Sequence, residues 1–117
     1  MISSDPDVVS YSIVVRGLHE AAYEPFSRRF TEHRGGATPG PHPREIYQVV
    51  DCEVGQVYGS LSWIASEIAG RFRVVELGIG IHTPRNWSNF YVPADVVQAA
   101  HEFGATIRLS FMSPMVR

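Results

Sequence analysis

The chain has 117 residues, of which 44% are hydrophobic, and its formal net charge is −2 at pH 7. This length provides for one domain with one core, spanning residues 1–117, and the composition excludes a disordered chain. The slightly acidic balance argues against a nucleic-acid-binding protein, which normally carries a basic stripe.

Three features predict a cytoplasmic protein that does not bind membranes. No apolar run approaches the length of about 20 residues that a transmembrane helix needs. The segment Met1–Asp7 is polar and acidic, unlike the start of a signal peptide. The single cysteine, Cys52, excludes an intramolecular disulfide and is typical of a reducing compartment.

The first half of the chain predicts a strand, a helix, a loop and a second strand. Apolar residues alternate over 9–15, which predicts a strand that ends at Gly17. The stretch Ala21 to His33 is predicted as a helix, with Pro25 placing its regular start near Glu24. Gly35 to Pro43 contains three prolines and three glycines, which predicts a loop and excludes a helix or an internal strand.

The second half predicts three strands and two helices. After a strand from Ile46 to Val50, a central helix carries apolar residues at helical spacing from Val57 to Ile68 and is closed by Gly70. Strands are predicted over residues 74–81, over Phe90 to Val92 and over 106–112. The helix between the last two ends at Gly104, where a C′ glycine is expected.

The element order β-α-β-α-β-β-α-β predicts an α+β fold. Its sheet is expected to have about five mostly antiparallel strands, with the helices packed on one face. The predicted shared core contains Ile13, Val15, Leu61, Ile64, Ile68, Leu77, Ile79, Val97, Phe103, Ile107 and Leu109. The opposite, polar face of the sheet is expected to carry Ser10, Ser12, Arg16, Glu76, Thr106, Arg108 and Ser110.

The titratable residues form no catalytic or metal-binding motif. None of the five histidines has a partner at the spacing that metal sites show, so no metal and no cofactor are predicted. Asp51, Cys52 and Glu53 form the densest triplet of titratable groups. We interpret one acid as a helix cap and Cys52 as a packed apolar residue whose thiol pKa the flanking acids raise. This favours a protein that is not an enzyme.

Two groups of residues are candidate binding sites. Arg85, Asn86, Trp87 and Asn89 lie in a predicted surface turn, where an aromatic ring beside Arg and Asn is typical of protein-binding hot spots. The alternative is that Trp87 folds back onto the edge of the core. A second candidate site, for a small ligand, consists of residues on the polar sheet face: Arg16, Glu76, His82 and Arg108.

The last third of the chain resembles a bacterial family catalogued as domain of unknown function 4279. The resemblance lies in the segment from Tyr91 to Ser110, where a short strand and a Pro-initiated helix are followed by Gly104-Ala105 and a final alternating strand. The opening strand that ends at Arg16-Gly17 is also similar. The resemblance implies a compact bacterial α+β domain, and no catalytic residues come with it.

Three functions remain open at this point. The leading hypothesis is a protein that binds a macromolecular partner, as small immunity or regulatory proteins do. One alternative is a small-ligand-binding or enzymatic domain that uses the polar sheet face. The other alternative is a structural homodimer that associates through edge strands or sheet faces.

Overall fold

The computed structural model describes residues 7–37, 46–84 and 89–112. It confirms an α+β domain with one sheet of five strands and three α-helices. The elements in chain order are β1 (Val8–Arg16), α1 (Glu20–Arg29), β2 (Arg34–Ala37), β3 (Ile46–Cys52), a 3-10 turn (Val54–Gln56), α2 (Val57–Glu67), β4 (Val74–His82), α3 (Ala94–Glu102) and β5 (Thr106–Met112).

The sheet is mixed, with the strand order β2-β3-β1-β4-β5. Three of its pairings are antiparallel, and only β4 and β5 run parallel. A parallel pair needs a crossover connection, which α3 supplies. β1 is the central strand, so Ile13 lies opposite Val50 on one side and Leu77 on the other.

The core lies between one face of the sheet and the helices. The apolar period of α2 is confirmed, because Val57, Leu61, Ile64 and Ile68 are all buried. They form one cluster with buried residues of β1, β4, α1 and α3. Burial of apolar surface stabilises a folded protein by about 25 cal/mol per Å². This shared core is therefore the main source of the fold's stability.

The prediction that Val97, Ile107 and Leu109 belong to the core is wrong, since all three are exposed. Ile107 and Leu109 do lie opposite Leu77 and Ile79, on the helix-covered face of the sheet. Strand alternation therefore gave the correct face. It could not show that the helices leave the last strand uncovered.

The predicted bounds of the first helix are also wrong. The helix α1 begins at Glu20 and ends at Arg29, with Pro25 inside it, and His33 lies beyond its end. The His33 Nδ1 instead makes a hydrogen bond of 2.8 Å with Oε1 of the buried Gln48 on β3.

The strand β2 was missed by the sequence analysis, which assigned its glycines to a loop. A Cβ at Gly35 would lie 2.6 Å from the Gln48 amide, and a Cβ at Gly36 would lie 2.6 Å from the Tyr47 hydroxyl. The two glycines are therefore where side chains of β3 lie across the neighbouring strand. Conversely, the predicted strand at Phe90–Val92 is not formed.

The helix ends follow the expected glycine positions. Gly70 and Gly104 have φ angles of 76° and 69°, in the left-handed region that glycine enters without steric cost. Among the residues described, no helix has the length and hydrophobicity to cross a membrane.

Candidate functional site

The polar face of the sheet is shaped by two glycines in β4. A Cβ at Gly78 would lie 2.6 Å from Ser12 Oγ, and one at Gly80 would lie 3.1 Å from Ser10 Oγ. Because neither glycine has a side chain, the serine side chains of β1 lean over β4. The result is a low floor of backbone and hydroxyl groups in the middle of the sheet.

This floor lies in a shallow cavity of about 390 Å³, here called the polar trough. The trough spans all five strands. Successive side chains of each strand point alternately to this face and to the opposite face of the sheet. It is lined by Ser10, Ser12, Val14, Arg34, Asp51, Glu76, Gly78, Gly80, His82, Arg108, Ser110 and Met112.

Glu76 forms an ion pair with Arg16 of the neighbouring strand. The Arg16 Nε donates to Glu76 Oε2 at 3.0 Å, and the two side chains are only 23% and 20% exposed. The Arg16 guanidinium also lies over the Tyr47 ring, 5.4 Å from its centroid. Arg16 is therefore committed to these neighbours and does not line the trough.

The second oxygen of Glu76, Oε1, is buried and accepts no hydrogen bond from the described residues. A buried carboxylate oxygen without a donor costs free energy comparable to a lost hydrogen bond, about 1–3 kcal/mol. Glu76 therefore lines the trough, but its Oε1 atom lies beneath the surface and is not accessible from it.

Two basic side chains of the trough are available to an acid group. Arg108 lies opposite Gly78 in the β4–β5 register, and His82 lies opposite Met112. Both side chains are exposed, and neither has an ion pair or hydrogen bond to another described residue. Glu76 and His82 are six residues apart on β4, about 20 Å along the strand. The predicted ligand residues therefore share one face but do not converge on one point.

The far wall of the trough holds an ion pair that the sequence did not reveal. Arg34 on β2 binds Asp51 on β3 through two hydrogen bonds, one of them 3.2 Å from Nη2 to Oδ1. This pairing raises the pKa of Arg34 further, and the guanidinium stays charged. Both side chains are about two-thirds exposed, so the pair contributes little to stability.

The Asp51-Cys52-Glu53 triplet has the structural role that the sequence predicted. Glu53 caps the 3-10 turn before α2, and its backbone N–H donates to Gln56 Oε1 at 2.9 Å. Burial, followed by the Asp51 carboxylate, raises the pKa of the Cys52 thiol to about 11. At neutral pH Cys52 is a protonated thiol and a poor nucleophile.

The last strand presents a second surface, here called the β5 edge and comprising Thr106–Met112. β5 pairs only with β4 among the strands of the described chain. Its side chains are all exposed, including Ile107 at 38%, Leu109 at 64% and Phe111 at 48%. These three apolar side chains lie on one face, and no described element buries them. An exposed apolar edge of this kind can accept another strand. Sequence reasoning missed this surface because it placed the same residues in the core.

The predicted partner-binding loop falls mostly outside the described residues. Arg85, Asn86 and Trp87 belong to the segment 85–88 that the structure does not describe, whereas Asn89 is described and exposed. The role of the loop therefore remains a prediction. In the described ranges no three His, Cys, Asp or Glu residues come together as metal ligands.

The comparisons with known proteins identify no relative: no protein-family model, no curated protein and no solved structure matches this chain.

Proposed function

We propose that this protein acts in the bacterial cytoplasm by binding a protein partner along the β5 edge, in a regulatory or immunity-type role. The observation that carries the proposal is the exposure of Ile107, Leu109 and Phe111 on a terminal strand. Adding a strand to such an edge satisfies its backbone groups and buries its apolar side chains together. The single cysteine, Cys52, is free and is compatible with a reducing cytoplasm.

The opposite edge of the sheet is much less suited to this role. β2 has four residues, Arg34 to Ala37, and two of them are glycines over which side chains of β3 lie. Short, glycine-containing edges with a charged residue resist the addition of another strand. The two edges therefore differ in the length and apolar surface that they offer, and the β5 edge offers more of both.

The test uses affinity capture from bacterial extract with three versions of the tagged chain. The native chain and Val8→Arg should retain the same partner, whereas Leu109→Arg should lose it. Val8 is a matched control because it is 56% exposed, similar to the 64% of Leu109, but lies on the central strand. The partner is then purified and titrated calorimetrically, and an affinity unaffected by Leu109→Arg would contradict the proposal.

A second candidate function is the binding of a small ligand in the polar trough. It is favoured by the hydroxyl groups of Ser10 and Ser12, which line the trough on the same face as the uncommitted Arg108. These groups fit a ligand that carries both an acid group and an N–H or O–H donor. Because the trough is shallow and its charged groups are spread along it, this function has less support than binding at the β5 edge.

Nuclear magnetic resonance titrations with glycine and with acetate test the second candidate. Glycine carries the acid group and the donor, whereas acetate carries the acid group alone. If the trough binds such ligands, glycine should shift the amide signals of Gly78 and Gly80 more than acetate does. Arg108→Ala should abolish the shifts, and equal or absent shifts for the two probes would contradict this function.

A further inference from the structure

The direction of the backbone groups in β5 can be deduced from one hydrogen bond. The backbone N–H of Thr83, just after β4, donates to the carbonyl of Met112 at 3.0 Å. The Met112 carbonyl therefore points toward β4, and successive residues of a strand point alternately to either side. It follows that the N–H and C=O groups of Ile107, Leu109 and Phe111 point away from β4, toward the open edge.

We infer that the β5 edge binds a second copy of this chain, with the two β5 strands antiparallel and a twofold axis at Leu109. The inference rests on the proposed function, since it names the partner for the same edge. An isologous contact requires a surface that is complementary to itself. The sequence of β5 meets that requirement around Leu109.

Each residue of β5 has a suitable partner in this register. Leu109 lies opposite Leu109 of the second copy, and Ile107 lies opposite Phe111, so the apolar side chains meet on the helix side of the sheet. The outward N–H and C=O groups belong to these same residues, as hydrogen-bonded antiparallel pairs require. On the polar face Arg108 lies opposite Ser110, and no like charges are opposed.

Other pairings are less favourable. A twofold axis at Arg108 would place two guanidinium groups opposite each other, and directly opposed like charges destabilise a strand pair. Pairing of β5 with the β2 edge of another copy would not close, and would build a filament instead of a dimer. The pairing around Leu109 uses the whole of β5 and leaves both β2 edges at the outside.

This dimer would join two five-stranded sheets into one continuous sheet. The polar troughs of the two copies would then lie side by side across the axis. Arg108 and Ser110 line the trough of each copy. The pairing would therefore place two arginines in one extended polar surface.

The dimer is tested by light scattering after size exclusion, over chain concentrations from about 1 μM to 1 mM. The native chain and Val8→Arg should reach twice the 13.0 kDa mass of one chain. Leu109→Arg places two like charges on the axis and should raise the dimer dissociation constant by about 100-fold or more. Its circular dichroism should stay native, because Leu109 is exposed within the single chain.

The register is tested by disulfide cross-linking. Residues that form a hydrogen-bonded pair on the axis have Cα atoms about 5.5 Å apart, within disulfide range. Leu109→Cys should therefore cross-link on mild oxidation. Ile107→Cys should not, because its symmetry mate lies about 13 Å away along the strands. The native chain controls for Cys52, whose thiol is half-buried and protonated.

The possible outcomes separate this inference from the proposed function. A chain that is monomeric up to 1 mM but retains another protein through Leu109 would overturn the dimer and leave the proposed function intact. A monomer that retains no protein through Leu109 would overturn both. A dimer that persists in Leu109→Arg, that cross-links through Ile107→Cys, or that grows into filaments would overturn the antiparallel β5 pairing.

Discussion

Arg16 and Glu76 form an ion pair across the central strands β1 and β4, on the sheet face opposite the helices. Both side chains are mostly buried and have lost most of their hydration on folding. The attraction between the two charges compensates for that loss. Removing Arg16 alone would leave the Glu76 carboxylate buried without a cation. Removing both side chains would leave no buried charge at this position.

The first prediction follows from this dependence. Arg16→Ala should lower the free energy of unfolding by about 2–4 kcal/mol, whereas the double variant Arg16→Ala with Glu76→Ala should lose less than Arg16→Ala alone. Urea denaturation of the two single variants and the double variant gives the coupling energy. Additive losses would show that the pair acts as two independent solvated charges.

The second prediction concerns the floor of the polar trough. Gly78→Ala should destabilise the protein by up to about 1 kcal/mol, because its Cβ would lie 2.6 Å from Ser12 Oγ and Ser12 would have to change its rotamer. Ser12→Ala removes that oxygen and should recover most of the loss. Gly59→Ala is the matched control: nothing lies within 4 Å of its Cβ position on α2, so it should stabilise the helix by up to about 1 kcal/mol. Thermal unfolding of Gly78→Ala, of Gly78→Ala combined with Ser12→Ala, and of Gly59→Ala measures these changes.

The third prediction concerns the central helix. Leu61→Ala should lower the free energy of unfolding by about 2–5 kcal/mol, because Leu61 is 1% exposed and its truncation leaves a cavity. Val97→Ala, at a half-exposed position on α3, should cost clearly less. Chemical denaturation compares the two variants. A loss below about 0.5 kcal/mol for Leu61→Ala would contradict the placement of α2 against the sheet.

The apolar period of α2 could be predicted from sequence because helical spacing and burial coincide at Val57, Leu61, Ile64 and Ile68. The strand β2 could not be predicted, because glycines have low strand propensity. Gly35 is needed there because the Gln48 side chain of the neighbouring strand occupies the space that a Cβ would take. For Leu109, alternation revealed the face but not the extent of helix coverage.

The candidate site was predictable to a similar degree. Period-two alternation placed Glu76, His82 and Arg108 on one face of the sheet, and the structure places all three in the polar trough. The Arg34–Asp51 pair could not be anticipated, because it depends on β2 lying beside β3. The commitment of Arg16 to Glu76 likewise depends on which strands are neighbours.

The fourth prediction concerns the pH dependence of stability through Cys52. Folding raises the pKa of this thiol to about 11 from an unfolded value of about 8.5, so the folded state holds the proton more tightly. The stability that this contributes is present below the unfolded pKa and is lost as the pH rises toward 11. The native chain should therefore lose more stability than Cys52→Ala between about pH 8.5 and 11.

Urea denaturation of the two chains at several pH values measures this difference. Iodoacetamide labelling provides an independent check, since Cys52 should react slowly at pH 8 in the folded protein and quickly in urea. Parallel stability curves for the two chains, or fast labelling of the folded protein, would contradict the raised pKa.

The fifth prediction concerns the loop that contains Trp87. If this residue is a binding anchor, Trp87→Ala should leave the free energy of unfolding nearly unchanged and weaken partner binding by about 2 kcal/mol or more. If it packs on the core, the same change should cost about 3–5 kcal/mol of stability. Unfolding of the isolated variant distinguishes the two before any partner is known.

The central position of β1 also constrains how the chain can fold. Both neighbours of β1 come from later in the sequence, and two α-helices and two strands lie in the chain between Val14 and its partner Glu76. The sheet therefore cannot grow outward from a local hairpin around β1, and closing these distant pairs costs chain entropy before any contact repays it. During synthesis β1 leaves the ribosome before the other described strands, and both of its edges lack their partners until β3 and β4 follow.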